Sequence, residues 1–106
     1  MASSTKRVAI ITGAAQGIGR GIAQRLAKDG LDLGLFDVPG CRDMLEELAG
    51  GLRTEFGTKV VTVYGDVSVE SDVQELVETV VRELGDLYAV SEVVARTGYL
   101  PDGQTR

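Results

Sequence analysis

An α/β fold is predicted by three features of the amino-acid sequence. Short β-branched runs recur along the chain, apolar stripes at helical spacing lie between them, and glycines mark the joints. The implied architecture has three layers, with a parallel sheet of three to four strands between helices. It corresponds to the N-terminal half of a doubly wound fold. Strands alternating with helices of about ten or more residues require crossover connections, and such crossovers are right-handed. The 106 residues suffice for one small domain, whose stability should be modest because a small domain buries a smaller share of its surface.

Val8-Ala9-Ile10-Ile11 is a continuous apolar run ending at Thr12-Gly13, short and β-branched enough to be a strand buried on both faces. Ile18, Ile22 and Leu26 then recur at helical spacing beside Ala23 and Ala27, and Gly30 follows as a C-cap. Leu31 to Phe36 reads as a second strand, stopped by Asp37-Val38-Pro39-Gly40. Met44, Leu48, Leu52 and Phe56 line one face of a second helix. Gly50-Gly51 inside it costs about 1 kcal/mol per glycine against alanine, which leaves room for a break there. Lys59 to Tyr64 reads as a third strand. Ser68 is placed to cap a third helix with the stripe Val73, Leu76, Val77, Val80 and Leu84, ended by Gly85. Beyond it, Leu87, Val90 and Val94 fit a helical stripe as well as a fourth strand. Glu92 would put a costly charge into a central strand. Tyr99 to Arg106 has no periodicity and reads as a loose tail.

Composition excludes several function classes. The formal net charge of −5 argues against a general nucleic-acid or membrane-surface binder. Eight acidic residues and one basic residue, Arg82, lie between Gly65 and Glu92, so the third helix presents a negative, solvated face. Cys41 is the only cysteine and there is no histidine, which removes an internal disulfide, a multi-cysteine zinc site and the commonest general base. No metal site is expected. Met1 to Lys6 lacks the apolar core of a secretory signal, and no apolar run approaches transmembrane length. A cytoplasmic location is expected.

The chemistry lies in the first turn, Thr12-Gly13-Ala14-Ala15-Gln16-Gly17-Ile18-Gly19. These glycines leave a predicted strand and open a predicted helix, the context in which a glycine pattern signals a phosphate cradle. Gly13 permits the sharp turn, Gly17 lets a pyrophosphate approach the backbone, and Gly19 allows tight packing of the helix against the strand. Free amides and the positive helix end face the anion. A nucleoside-triphosphate loop needs lysine and then Ser or Thr after its last glycine, but Gly19 is followed by Arg20-Gly21. The glycine spacing also argues against an S-adenosylmethionine site. This is a Rossmann-like dinucleotide turn.

Asp37 lies 18 residues beyond Gly19, at the end of the second strand. An acid there accepts hydrogen bonds from the adenosine ribose hydroxyls. The same carboxylate repels a 2′-phosphate, and the next basic residue, Arg42, does not stand directly beside it, so NAD is favoured over NADP. Asp66-Val67 ends the third strand on the same sheet edge, within reach of an adenine. Asp37 and Asp66 are also ordinary turn openers.

The pattern Thr12-Gly-x-x-x-Gly-x-Gly19, with Asp37 and Gly65-Asp66-Val67, resembles the short-chain dehydrogenase/reductase family over residues 6 to about 86. The wording is closest to the diacetyl/acetoin and 3-oxoacyl reductase branches. The resemblance implies an NAD(P)-dependent alcohol–ketone oxidoreductase. It implies that Gly13, Gln16, Gly17, Ile18 and Gly19 line the phosphates, Asp37 the ribose, and Asp66 and Val67 the adenine. Family members continue with an Asn-Ala-Gly type motif, of which Ala95-Arg96-Thr97-Gly98 is at most a degraded echo. The family's catalysis also needs a Ser and a Tyr-x-x-x-Lys pair. The last lysine is Lys59, so Tyr64, Tyr88 and Tyr99 lack that partner, and no catalytic residue carries over. The chain thus divides into an NAD-binding βαβαβα unit, 1–86, and a divergent or incomplete fourth strand with a tail, 87–106. It reads as a truncated NAD(P)-binding portion, inactive alone, or alternatively as a non-catalytic NAD-binding or partner-interaction module. A half fold should expose the flank of its first strand, favouring a homo-oligomer or pairing with a full-length relative.

Overall fold

The computed structural model describes residues 7–85 and 93–94. Strands β1 (Val8–Thr12), β2 (Asp32–Asp37) and β3 (Val60–Tyr64) alternate with helices α1 (Gly17–Lys28), α2 (Arg42–Phe56) and α3 (Glu70–Leu84), and β4 is Val93–Val94. A single 3-10 turn, Pro39–Cys41, leads into α2. All pairings are parallel, in the order β3-β2-β1-β4. The chain therefore steps outward from β1 to β3 and then returns to the other side of β1, reversing direction beside the first strand. The helix-or-strand ambiguity is resolved at Val93–Val94, which pairs with Ile10 and Ile11. Glu92, Ala95-Arg96-Thr97-Gly98 and the tail lie outside the described residues.

Side chains alternate across the sheet as the pleat requires. Ala9, Ile11, Leu33, Leu35 and Val60 face α1 and α2, packing on Ala23, Ala27, Leu45, Leu48, Ala49 and Leu52. Val8, Ile10 and Phe36 face α3, meeting Leu76 and Val80. Every residue of β1 and β2 is buried, as predicted for strands covered on both faces. Three layers result.

Helix ends follow backbone chemistry. α1 closes with a Schellman motif, in which the Gly30 and Leu31 amides donate to the Ala27 and Leu26 carbonyls at 3.0 and 3.1 Å. Gly30 has φ +93°, in the region that favours glycine. α2 ends at Gly57 and α3 at Gly85. At the amino edge of the sheet, the Asp32 carboxylate accepts from the Lys59 amide and the Thr58 hydroxyl, each at 3.1 Å. The bottoms of β2 and β3 are joined there.

Several expectations are corrected in detail. Ile18 is 65% exposed, because the buried face of α1 is made by the small residues Gly19, Ala23 and Ala27, with Ile22 and Leu26 half-buried beside them. Met44 and Val77 are exposed too, and Leu45 takes the inward position expected of Met44. Gly50-Gly51 does not break α2, whose packing outweighs the propensity cost. Ser68 does not cap α3; Val69 occupies that position, and the Ser68 hydroxyl donates to Asp66 instead.

Candidate functional site

The carboxyl edge of the sheet gathers three loops, and hydrogen bonds knit them together. The Gly13 and Ala14 amides both donate to the Phe36 carbonyl, at 2.8 and 3.3 Å. The Gly65 amide donates to the Asp37 carbonyl at 3.1 Å. The first turn is therefore seated on the end of β2, and the loop after β3 is seated on β2 from the other side. In doubly wound sheets ligands bind beyond the carboxyl ends, at the point where the chain reverses direction. The turn after β1 stands at that point.

Gly13 and Gly17 have φ of +67° and +65°, conformations that strain any residue with a Cβ. A Cβ on Gly17 would meet nothing within 4 Å, so the backbone faces open space. A Cβ on Gly19 would lie 2.3 Å from the Gly13 carbonyl oxygen. The close approach at Gly19 is thus to the turn itself, where a contact with the strand was expected. Gln16 is the N-cap of α1 and makes no side-chain cap, and the first turn carries no acid. The opening amides of a helix have no intrahelical partners, and they form the positive end of its dipole. The starts of α2 and α3 differ, with Asp43 on one and Glu70 and Asp72 on the other. Among the described helices, only α1 has a first turn free of acidic residues.

Asp37 is 3% exposed and works as a clasp. Its Oδ2 accepts the Ala15 amide at 2.9 Å, and its Oδ1 accepts the Val38 amide at 2.8 Å. The second bond is the local turn expected of any aspartate here. The first spans 22 residues and connects the carboxylate directly to the glycine turn. A carboxylate oxygen has more than one lone pair, so both retain capacity for hydroxyl donors. Ala15 and Val38 were not singled out from the sequence. Ala15 contributes through its amide, which residue type does not reveal, and Val38 is an apolar side chain left 41% exposed at the loop tip.

Asp66 is less committed to the edge. Its Oδ1 accepts the amide and the hydroxyl of Ser68 at 2.8 and 2.7 Å, and its own amide donates to Asp72 at 2.9 Å. The Ser68 hydroxyl and then the Ser68 amide hold the Asp66 carboxyl below its ordinary value. The turn-opener reading describes its side chain, while Val67 beside it is 57% exposed.

One further cluster flanks the edge. The Arg42 guanidinium lies 4.4 Å from the centre of the Tyr64 ring. The Tyr64 hydroxyl donates to the Glu46 carboxylate, which also accepts the Thr62 hydroxyl at 2.8 Å. The bonds from Tyr64 and Thr62, helped by Arg53 and Arg42, hold the Glu46 carboxyl below its usual value. Burial, then the bond to Glu46, pushes the Tyr64 hydroxyl up.

A family model described as short chain dehydrogenase matches residues 7–103. The chain belongs to the short-chain dehydrogenase/reductase family. It is 46% identical over 97 residues to the short-chain dehydrogenase/reductase eriH of Hericium erinaceus, covering 90% of this chain and 37% of that protein. A diacetyl reductase [(S)-acetoin forming] of Staphylococcus epidermidis is 42% identical over 84 residues, covering 76% of this chain and 30% of its own length. Among solved structures, an alcohol dehydrogenase from the archaeon Thermococcus sibiricus, complexed with 5-hydroxy-NADP, matches with a TM-score of 0.74 and 39% identity. That match covers 84% of this chain and 36% of the other. A short-chain dehydrogenase/reductase from Burkholderia phymatum in complex with NAD matches with a TM-score of 0.71 and 35% identity, covering 77% of this chain and 28% of the other. The chain spans about a third of the length of the curated relatives it matches. The family match also reaches past residue 86, where the resemblance read from motifs stops. Short-chain dehydrogenases bind a nicotinamide dinucleotide. Among the described residues, no helix is long and apolar enough to cross a membrane.

Proposed function

We propose that residues 1–86 form the cofactor-binding unit of an alcohol–ketone oxidoreductase and take NAD in preference to NADP. The amides around Gly13, Gln16, Gly17, Ile18 and Gly19 would hold the pyrophosphate, Asp37 the ribose hydroxyls, and Val67 the adenine, with Asp66 supporting its loop. The arrangement fits the group: an uncapped helix start, open space over Gly17, and a carboxylate at the ribose distance in sequence. When bound, the nicotinamide supplies or accepts hydride. This chain's residues position and orient the cofactor, and none of them is assigned a proton-transfer role.

The clasp between Asp37 and the Ala15 amide carries the reading, because it couples the ribose acid to the phosphate turn. Solved relatives carry both NADP-type and NAD cofactors, so preference rests on this chain's own residues. Asp37 is acidic, and the first basic residue after it, Arg42, is stacked on Tyr64. NADH fluorescence should rise on binding to the 106-residue chain. Asp37→Ala should weaken that binding by on the order of tenfold or more, since a buried acceptor for two hydroxyls is lost. Undiminished enhancement in a folded Asp37→Ala protein, checked by circular dichroism, would overturn the reading.

The alternative reading is a non-catalytic module that binds NAD and pairs with itself or a full-length relative. Sedimentation of the chain, alone and mixed with such a relative, separates the two readings. A strictly monomeric chain that ignores the relative would remove the second.

A further inference from the structure

We propose that the outer edge of β3 is a strand-pairing surface for a second copy of this chain, and that Arg53 holds it shut. The inference stands whether or not the chain binds NAD.

Among the described residues, β3 ends the sheet order, with β2 on one side and no strand on the other. Alternation decides which of its backbone groups are left over. The Leu33 amide donates to the Lys59 carbonyl at 2.9 Å, and the Gly65 amide donates to the Asp37 carbonyl at 3.1 Å. In a parallel ladder every second residue bonds to the same neighbour, so Lys59, Val61, Val63 and Gly65 serve β2. Val60, Thr62 and Tyr64 therefore turn their amides and carbonyls outward. The strand, Val60-Val61-Thr62-Val63-Tyr64, contains no charge, glycine or proline. Such an edge is a template for a further strand.

A second β3, running antiparallel about a twofold axis at Thr62, fits this edge. Thr62 then lies opposite its own copy, and the Tyr64 amide of each chain donates to the Val60 carbonyl of the other. Thr faces Thr, and Tyr faces a β-branched Val, both favourable cross-strand pairs with no like charges opposed.

Arg53 stands in the way. From the last turn of α2, its Nε and Nη2 donate to the Val60 carbonyl at 3.3 and 2.7 Å. That oxygen is the acceptor an incoming Tyr64 amide needs, and a charge-assisted bond already occupies it. The twofold places one such block at each end of the paired strands. Beside Arg53, a hollow of about 350 Å³ lined by Thr58, Val60, Val61, Glu83 and Leu84 flanks the amino end of β3. Neither α2 nor α3 fills that space, so the guanidinium is what guards the edge there.

Sedimentation equilibrium of the full 106-residue chain, with folding checked by circular dichroism, tests the guard. Arg53→Ala should tighten self-association by about tenfold or more, since each chain of the pair no longer gives up a charged hydrogen bond to dock. Arg53→Lys keeps the charge without the planar fork and should fall between the two. It serves alone if the alanine variant does not fold. Amide exchange then locates the surface. The outward Thr62 and Tyr64 amides should exchange at least about tenfold more slowly in the pair than in the monomer, while the Val61 and Val63 amides bonded to β2 stay slow in both. Folded Arg53 variants that associate no more tightly than the wild type overturn the inference. So does tighter association that leaves Thr62 and Tyr64 unprotected, because another face would then be the one that pairs.

Discussion

A methyl group placed on Gly19 would press to within 2.3 Å of the Gly13 carbonyl oxygen, whereas one on Gly17 would meet nothing within 4 Å. The two glycines therefore fail in different ways. Gly19→Ala should force the start of α1 off the turn and lower stability by about 1–3 kcal/mol, measured by urea unfolding. Gly17→Ala should cost about 1–2 kcal/mol through its left-handed backbone alone. It should also weaken cofactor binding, because the new Cβ would stand in the space the pyrophosphate needs. At this scale the glycines were legible because only glycine tolerates such geometry. The Asp37–Ala15 clasp was not, since a backbone amide leaves no mark on residue type.

α2 runs unbroken through Gly50 and Gly51, and a Cβ at either would meet nothing within 4 Å. Both keep helical backbone, so alanine there removes unfolded-state freedom at no steric cost. Gly50→Ala with Gly51→Ala should raise stability by about 1–2 kcal/mol together, visible as a higher thermal midpoint. No gain would contradict the view that both glycines sit in regular helix with room for a methyl group. Strand positions were readable to within a residue from their β-branched runs, and the helices from their stripes. The inward face was misjudged where small residues do the packing: Ala23 and Ala27 bury α1 tightly while the larger Ile18 stays outside. A stripe of large apolar residues marks a helix, but close helix–sheet contact selects the small ones. Ser68 was misread for a different reason, because Asp66 competes successfully for its hydroxyl.

Across the whole molecule, stability should depend on pH through the Glu46–Tyr64 pair. The Glu46 carboxyl sits below its ordinary value of 4.5, so its contribution is present above that value and is lost as pH falls through the folded one. The Tyr64 hydroxyl sits above its ordinary value of 10.0, so its contribution is present below that value and is lost as pH rises through the folded one. Thermal midpoints should plateau between these limits and decline on both sides, with Glu46→Gln flattening the acid limb. The effect is small, under about 1 kcal/mol, because Glu46 is exposed and Tyr64 is only partly buried. The parallel three-layer order followed from alternation of strands and helices. The pairing of Val93–Val94 with β1 did not, since so short an apolar stretch fits either period. The proposed cofactor role rests on every described strand ending on one edge, where the glycine turn, Asp37 and the loop after β3 meet. Amide NMR spectra of the labelled chain titrated with NAD test that claim most directly. Resonances of Gly13, Gly17, Ile18, Gly19, Val38 and Val67 should move together, while those of Leu31, Thr58 and Lys59 at the opposite edge stay still. Shifts confined to the opposite edge, or none at all at millimolar NAD, would contradict it.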